Sequence, residues 1–549
     1  MSYKQKIQYE IKKAVNDCTE EITVEKPRSK DHGDAATNIA MILAKAEKRN
    51  PLDIANEIKE KLKTNTALIS NIEVAKPGFL NFTVSDKALI ESLQEVYKDN
   101  YGFVTKKTKG KVLIEYVSAN PTGDLHIGHG RQAVIGSCLV NLLNKAGYEL
   151  SSEFYINDYG EQITKLAETS WAIYEKSNGK EVQWSEDFYP EEGVSPYVKM
   201  VIESEGTSLS RDGATPSLLG LKVKDLILNF QKELLSSCRI EFDKWFSETG
   251  LHKNKAVENV LNKLKKSPYS YEKEGALWFK AEEFGDVRDR VLIRSDGRPT
   301  YLLADIAYHI DKLNRGFDKL ITIWGADHHG QEVSLKGGLK ALGYNSEKLE
   351  IIFVQLVSLK QGGQEVKMSK RAGAVISVQE VLNEVGADAF RYFLIETSPN
   401  NRMVFDLDLA KKQDKDNPVY YIQYAHARCC SIFRQYKESS NKEINFNSQD
   451  LLANLFKVNK DEYTATKDLV LKILDFPEEV ILAAESKSPN RIANYLKELA
   501  SYFHQFYTVC RVISKDPNLT EARLGLIEAV KITIANGLKI LGVTAPEAM

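Results

Sequence analysis

At 549 residues the chain has room for roughly three or four domains of about 150 residues each. Apolar residues make up 43% and charged residues 27%, a globular balance that excludes a disordered or fibrous chain. The formal charge of −2 excludes a uniformly basic nucleic-acid binder, so any nucleic-acid surface has to be a local cluster of Lys and Arg. The six cysteines (Cys18, Cys138, Cys238, Cys429, Cys430 and Cys510) include no C-x-x-C pair, which fits a reducing compartment and disfavours a zinc site. Met1 to Lys6 lead into a charged, helix-like pattern without an apolar core, and no apolar run approaches the ~18 residues of a membrane span. These features predict a cytoplasmic protein without a membrane partner.

In chain order, residues 1 to about 105 read as a small α+β unit. Amphipathic stretches at 3–17 and 52–63 flank Asn38–Ala44, which has helical spacing, and Ile72–Thr83 alternates about Pro77-Gly78 as a hairpin does. The basic stretch Lys106–Lys111, with Gly110 inside it, reads as a linker. Val112-Leu113-Ile114 then suits a buried parallel strand. Val134, Cys138 and Leu142, with Ile135, Leu139 and Leu143, give one broad apolar helix face, and Gly147 is its expected stop. A second strand is predicted at 150–156, and two more at 319–324 and 350–358. Together they predict a parallel sheet spanning residues 106–400, with an insertion at about 165–290. From 405 to 549 helical spacing dominates, as in Tyr420–Tyr436 and Ile492–Val512, and predicts an all-α bundle.

The stretch most informative about chemistry is Glu115 to His129, between the first strand and the first helix of the sheet. Ligands of open parallel sheets bind at the carboxyl ends of strands, and a helix start there favours anions. Pro121 and Gly123 permit a tight turn, and Gly128 removes a side chain where a nucleotide could approach. His126 and His129, three apart, share a helix face and suit a phosphate gaining charge in a transition state. A structural role for the two histidines stays open, while a zinc site would need a further ligand that no nearby Cys or His supplies.

His126-Ile127-Gly128-His129 is letter for letter the signature of class I aminoacyl-tRNA synthetases, and Lys367-Met368-Ser369-Lys370-Arg371 resembles their second, lysine-loop signature. The resemblance implies a multidomain α/β fold with a Rossmann-type catalytic domain, catalytic roles for His126, His129, Lys367 and Lys370, and ATP contacts at Gly128, Met368 and Ser369. In Trp324–Gln331 it places Gly325 and Asp327 near the ATP ribose and His328 near the nucleotide. On the residues alone, Asp327 serves equally well as a helix cap.

Within the class the chain resembles the arginyl-tRNA synthetases. A guanidinium wants carboxylates that accept forked hydrogen bonds. The resemblance gives it Glu115 and Asp305, with Tyr301 alongside and with Ser118 and Asn120 at the α-amino and carboxylate ends. Pro27–Asn38, Pro77-Gly78-Phe79, Asp388-Ala389-Phe390-Arg391, Tyr421–Arg428 and Ala545–Met549 extend the likeness over essentially the whole chain. It implies an arginine–tRNA ligase taking arginine, ATP and tRNA-Arg, with Mg²⁺ held mainly by phosphates and no zinc. It also implies a monomer whose activation step needs bound tRNA. Tyr420, Tyr424 and His426 are candidate tRNA contacts, with a bundle-core role as the alternative for each. Two departures stand out: Arg371 replaces a serine of the general lysine signature, and Asp124 stands where the family more often has proline. The readings set against this one are a cysteine or glutamate enzyme of the same class, a nucleotidylyltransferase with the same histidine signature, and an RNA-binding paralogue without activity.

Overall fold

The computed structural model describes residues 2–549 except 17–18, 28, 63–64, 66, 207–208, 210, 212, 214–215, 367–375 and 441–443. At the N-terminus, helices Tyr3–Ala14, Ile39–Glu47 and Pro51–Leu62 pack on an antiparallel sheet of Ala35–Thr37, Phe79–Val84 and Ile69–Ala75, with Phe79–Val84 in the middle. Ser2 starts the first helix through a reciprocal bond with Gln5, satisfying two backbone donors that would otherwise lack partners. The expected hairpin is present, turning at Lys76-Pro77-Gly78.

The centre is a five-stranded parallel sheet. Its labelled elements are β1 (Lys111–Glu115), α1 (Ile127–Lys145), β2 (Glu149–Ile156), α2 (Glu161–Ser177), α3 (Glu191–Glu205), α4 (Leu218–Ser237), β3 (Lys244–Ser247), α5 (Glu248–Lys253), α6 (Tyr301–Asn314), β4 (Lys319–Gly325), β5 (Leu349–Val354) and α7 (Val378–Ile395, broken at Gly386). The strand order is β5-β4-β1-β2-β3, all parallel. The chain runs outward from β1 through β2 to β3, then returns to lay β4 on the other side of β1. That reversal opens a crevice between β1 and β4 at their carboxyl ends, where a ligand of such a sheet sits.

Alternation along β1 sets the layers. Val112 and Ile114 face one side with α1, and Leu113 faces the other with Leu303, Ile306 and Ile310 of α6. The same period of two carries Glu115 to the α6 side, opposite Thr322 on β4 and Glu153 on β2.

Two sequence expectations need correction. The insertion at 165–290 is not wholly outside the sheet, because Lys244-Trp245-Phe246-Ser247 pairs in parallel with β2. Only four residues long and carrying no aliphatic β-branched side chain, that strand gave little periodicity to detect. The run at 350–358 is two strands: β5, and Val357–Gln361, which pairs in a separate three-stranded sheet.

The C-terminal region is helical, with α8 (Pro418–Ser439), α9 (Asn490–Val509) and α10 (Pro517–Leu541) packed together. Asp388-Ala389-Phe390-Arg391 joins it to the sheet domain. The fully buried Arg391 donates to the carbonyls of Leu541, Cys238 and Arg239 and to Ser137 on α1. Asp388 accepts from Arg239, Gln423 and Thr544. Among the described residues no helix is long and apolar enough to cross a membrane.

Candidate active site

The turn after β1 is built under strain. Val117 and Ser118 have φ of 70° and 44°, left-handed values that a β-branched valine adopts only when its surroundings impose them. Buried Gln231 on α4 holds the turn by donating to the carbonyls of Asn120 and Gly123, at 3.1 and 2.9 Å. Asp124, the residue that departs from the family pattern, accepts at 3.0 Å from the Tyr197 hydroxyl on α3 and so ties the turn to the insertion.

His126 caps α1. Its backbone N–H donates to His129 Nδ1 at 3.4 Å, and the His129 N–H donates to His126 Nδ1 at 3.3 Å. The rings stack with centroids 3.6 Å apart. Burial lowers both imidazoles, His129 to about 3, so both are neutral near pH 7. A neutral ring whose Nδ1 accepts carries its proton on Nε2. The corner therefore offers two Nε2–H donors at a helix start, where the backbone dipole adds partial positive charge. A Cβ on Gly128 would lie 3.0 Å from the His126 ring, so glycine there lets the ring fold over the first turn.

Lys367, Met368, Ser369 and Lys370 lie outside the described residues. Their flanks are placed. The strand Gln364–Val366 ends just before them. Just after them, the Ile127 N–H donates to Ile376 at 3.3 Å and the Val378 N–H to Leu125 at 2.8 Å. The segment following the lysines is thus bonded to the histidine turn itself.

On the neighbouring strand, β4 ends at Gly325. A Cβ there would come 2.5 Å from Asp327 Oδ1, so glycine lets the exposed Asp327 carboxylate fold back toward β4. Asp327 faces His126, whose imidazole its charge favours in the protonated form. Gly325, not Asp327, caps the short turn that follows. His328 is exposed, with Nε2 3.6 Å from Asp327 Oδ2 and Nδ1 3.2 Å from Gln331.

The α6 face of β1 and β2 carries the charged residues. Ser118 Oγ donates to Glu115 Oε1 at 2.8 Å, and Thr322 Oγ1 to Oε2 at 3.4 Å. Glu115 Oε2 also receives the ammonium of Lys312, an ion pair almost fully buried on both sides. Glu115 is therefore not the free acceptor that the sequence suggested. It lies beside a fixed cation, because a carboxylate buried at a strand end needs a counter-charge before any ligand arrives. Its neighbour Glu153 is satisfied separately, by Arg315 at 2.6 and 2.8 Å and by Tyr308 at 2.7 Å. Burial opposes ionisation of Glu153, but those partners with the Lys312 charge hold its carboxyl below the usual range.

Asp305, one turn after Tyr301 on α6, has no cationic partner within 4 Å among the described residues. Burial and the nearby carboxylates of Glu115 and Glu248 push it up to about 7, with Lys312 opposing. The Tyr155 hydroxyl, buried and facing Glu248, Asp305 and Glu115, is held protonated. Around this point stand three carboxylates (Glu115, Asp305, Glu248) and one ammonium (Lys312), a surplus of negative charge that a ligand cation can relieve. Tyr301 is 52% exposed, and its hydroxyl accepts from Gln162 at 3.2 Å. It sits on a cavity of about 570 Å³ lined also by Glu248, His252, Tyr159 and Ala304. Asn120 Oδ1 accepts from Asn157 at 2.9 Å.

Sequence reasoning missed Lys312, Glu248 and Gln231. Lys312 lies seven residues after Asp305, two helical turns along the same face, which was a legible signal. Glu248 and Gln231 stand in segments whose patterns gave none.

On α8, Tyr420 and Tyr424 stack at 6.5 Å, and Tyr424, 40% exposed, stacks on His504 at 5.9 Å. His426 is corrected: it is buried, and Nδ1 donates to the Pro546 carbonyl at 2.8 Å, so it pins the C-terminal tail instead of facing outward.

A helix start with paired histidines at the switch point of a parallel sheet is the arrangement of a class I tRNA synthetase. In agreement, residues 92–425 match the family described as tRNA synthetases class I (R), catalytic domain. Residues 1–84 match the arginyl tRNA synthetase N terminal domain, and 422–549 the DALR anticodon binding domain. The chain belongs to the arginyl-tRNA synthetase family. It is 43% identical over 534 residues to an arginine–tRNA ligase of Staphylococcus epidermidis, covering 96% of this chain and 95% of that one. It is 44% identical over 531 residues to one of Desulfitobacterium hafniense, covering 96% and 93%. The arginyl-tRNA synthetase structure from Thermus thermophilus shares the fold, with a TM-score of 0.76 at 24% identity and full coverage of both chains.

Proposed function

We propose that this site joins arginine to tRNA-Arg in two steps driven by ATP, the reaction of an arginine–tRNA ligase. In the first, a carboxylate oxygen of arginine bonds to the α-phosphorus of ATP and the bond to the bridging oxygen breaks, giving arginyl-adenylate and pyrophosphate. In the second, a hydroxyl of the terminal adenosine, the 2′ oxygen in this class, attacks the acyl carbon, the bond from that carbon to the phosphate oxygen breaks, and AMP leaves while the hydroxyl proton passes to the departing phosphate. The attacking carboxylate needs no base, so catalysis is positioning and charge stabilisation.

His126 and His129 donate Nε2–H to the α-phosphate oxygens. Asp327 accepts from the ribose, Gly325 and Gly128 let the nucleotide approach, and His328 borders it. Mg²⁺, when bound, would be held mainly by the nucleotide's phosphates and would supply charge neutralisation there. Lys367 and Lys370, with Met368 and Ser369 between them, neutralise the departing pyrophosphate. The guanidinium lies between Glu115 and Asp305 beside Tyr301, and Ser118 and Asn120 stand toward the α-amino and carboxylate end. Tyr420 and Tyr424 supply stacking faces for unpaired tRNA bases. The enzyme works as a monomer in the cytoplasm.

The observation that carries this reading is the uncompensated Asp305, placed against Glu115 on the strand that leads straight into the histidine corner. The test is charging of total tRNA with each of the twenty labelled amino acids, where arginine alone should be incorporated. Incorporation of another amino acid in its place sinks the assignment.

A further inference from the structure

Lys312 has no part in the chemistry above, yet it lies at the middle of the charged cluster. Its side chain is 1% exposed. The ammonium pairs with Glu115 Oε2 and stands 4.0 Å from the centre of the Tyr308 ring. Its charge also reaches Glu153, Asp305 and His309. A buried ammonium is costly, and an apolar side chain of similar volume would fill the same space without that cost.

The two glutamates side by side on β1 and β2 show what Lys312 adds. Glu153 is matched by the fork of Arg315, two N–H···O bonds that close both oxygens. Glu115 is held differently, with Ser118 on one oxygen and Lys312 and Thr322 on the other. A carboxylate accepts about four hydrogen bonds, so Glu115 is fixed in direction with acceptor capacity left over. The groups that bear on Asp305 are Glu115 from β1, Tyr155 from β2, Glu248 from α5 with His252 behind it, and His309 and Lys312 from its own helix. Of these, Lys312 is the cation.

We propose that Lys312 is a positioning residue of the amino-acid pocket, which holds the Glu115 carboxylate aimed while the pocket is empty and leaves Asp305 as the carboxyl group without a cation, for the incoming guanidinium to pair. This rests on the reading of Glu115 and Asp305 as guanidinium acceptors. Without the ammonium, Asp305 loses the charge that opposes its raised pKa and holds its proton to higher pH. Asp305 must be ionised to accept from the guanidinium, so arginine capture has to move to higher pH.

The experiment is kcat/KM for arginine against pH from 5.5 to 9, with tRNA present, in the full-length enzyme and in Lys312→Met, Lys312→Gln, Lys312→Arg and Glu115→Gln. Lys312→Gln keeps an N–H donor for Glu115, so it serves if Lys312→Met does not fold. Both neutral variants should raise the arginine KM about tenfold or more at pH 7, leave the ATP KM unchanged, and displace the acid limb upward by about one pH unit. Lys312→Arg should return the limb to its wild-type position. A uniform loss of rate with the limb unmoved overturns the proposal, since damage to packing lowers rates without changing which protons must leave. If Glu115→Gln keeps the wild-type arginine KM, the guanidinium reading fails and takes the proposal with it. If Glu115→Gln loses arginine while the neutral Lys312 variants keep the wild-type limb, the proposal alone fails.

Discussion

The histidine corner and the acidic pocket both lie at the carboxyl end of the same strand but are organised on opposite plans. The corner is local and neutral. His126 and His129 satisfy each other's backbone, stack, and present protons on Nε2, all within four residues. The pocket is assembled from residues far apart in the chain and carries unbalanced charge: Glu115, Glu248, Asp305 and Lys312 come from three elements, with negative charge in excess. Preorganised neutral donors cost little in the empty enzyme and act when charge develops on phosphorus. A surplus of buried carboxylate raises the free energy of the empty enzyme and is relieved either by a proton on Asp305 or by a cation of the right shape.

The largest effect that would break this contrast is at Asp305. Asp305→Asn should lower kcat/KM for arginine by about a thousandfold, because it leaves a buried cation without its partner, while ATP binding stays near normal. Comparable arginine kinetics in the variant would show that the pocket lies elsewhere.

Next come the residues proposed to donate to the phosphates. His129→Ala and Lys370→Ala should each slow aminoacylation by about 10²–10³ with little change in thermal midpoint. Near-normal turnover would remove those roles.

The third expectation sharpens the contrast through stability. The Asp305 pKa of about 7 lies above its ordinary 3.8. The folded state therefore holds a proton that the unfolded chain releases, and stability falls as pH rises through that window. Asp305→Asn should stabilise the protein at pH 8 by on the order of a few kcal/mol, with the gain growing up to about pH 7 and level beyond. His129→Ala should show no such pH-dependent gain. Thermal midpoints at pH 5 and pH 8 decide it; a destabilised Asp305→Asn at pH 8 contradicts the charge surplus.

The smallest effect concerns the bundle. Tyr424→Ala should raise the KM for tRNA about tenfold, whereas His426→Ala should act on stability through the Pro546 tether and leave tRNA affinity nearly unchanged. Equal effects of the two on tRNA affinity would contradict the assignment of one outward and one inward ring.

The same contrast governs what could be read from the sequence. The sheet, its first helix and the histidine turn were legible because each depends on periodicity or spacing within about twenty residues. Glu115 and Asp305 could be nominated from the family resemblance, and the helix face shared by Asp305 and Lys312 was legible, but not the pairing of Lys312 with Glu115. That Lys312 meets Glu115 depends on strand alternation and helix phase combining across 197 residues of chain. The strand Lys244–Ser247 escaped because it is short and without aliphatic β-branched residues, and the inward turn of His426 because its partner lies in the tail. Whether a polar helix face meets solvent or another segment is a tertiary fact.

If the guanidinium binds at Asp305 as proposed, the carboxyl must release a proton as it does so. Calorimetric titration of the full-length enzyme with arginine, in buffers of different ionisation enthalpy, counts that proton directly. About one proton should be released per arginine bound at pH 6 and almost none at pH 8.5. Arginine binding without proton release at pH 6 would contradict that placement of the guanidinium.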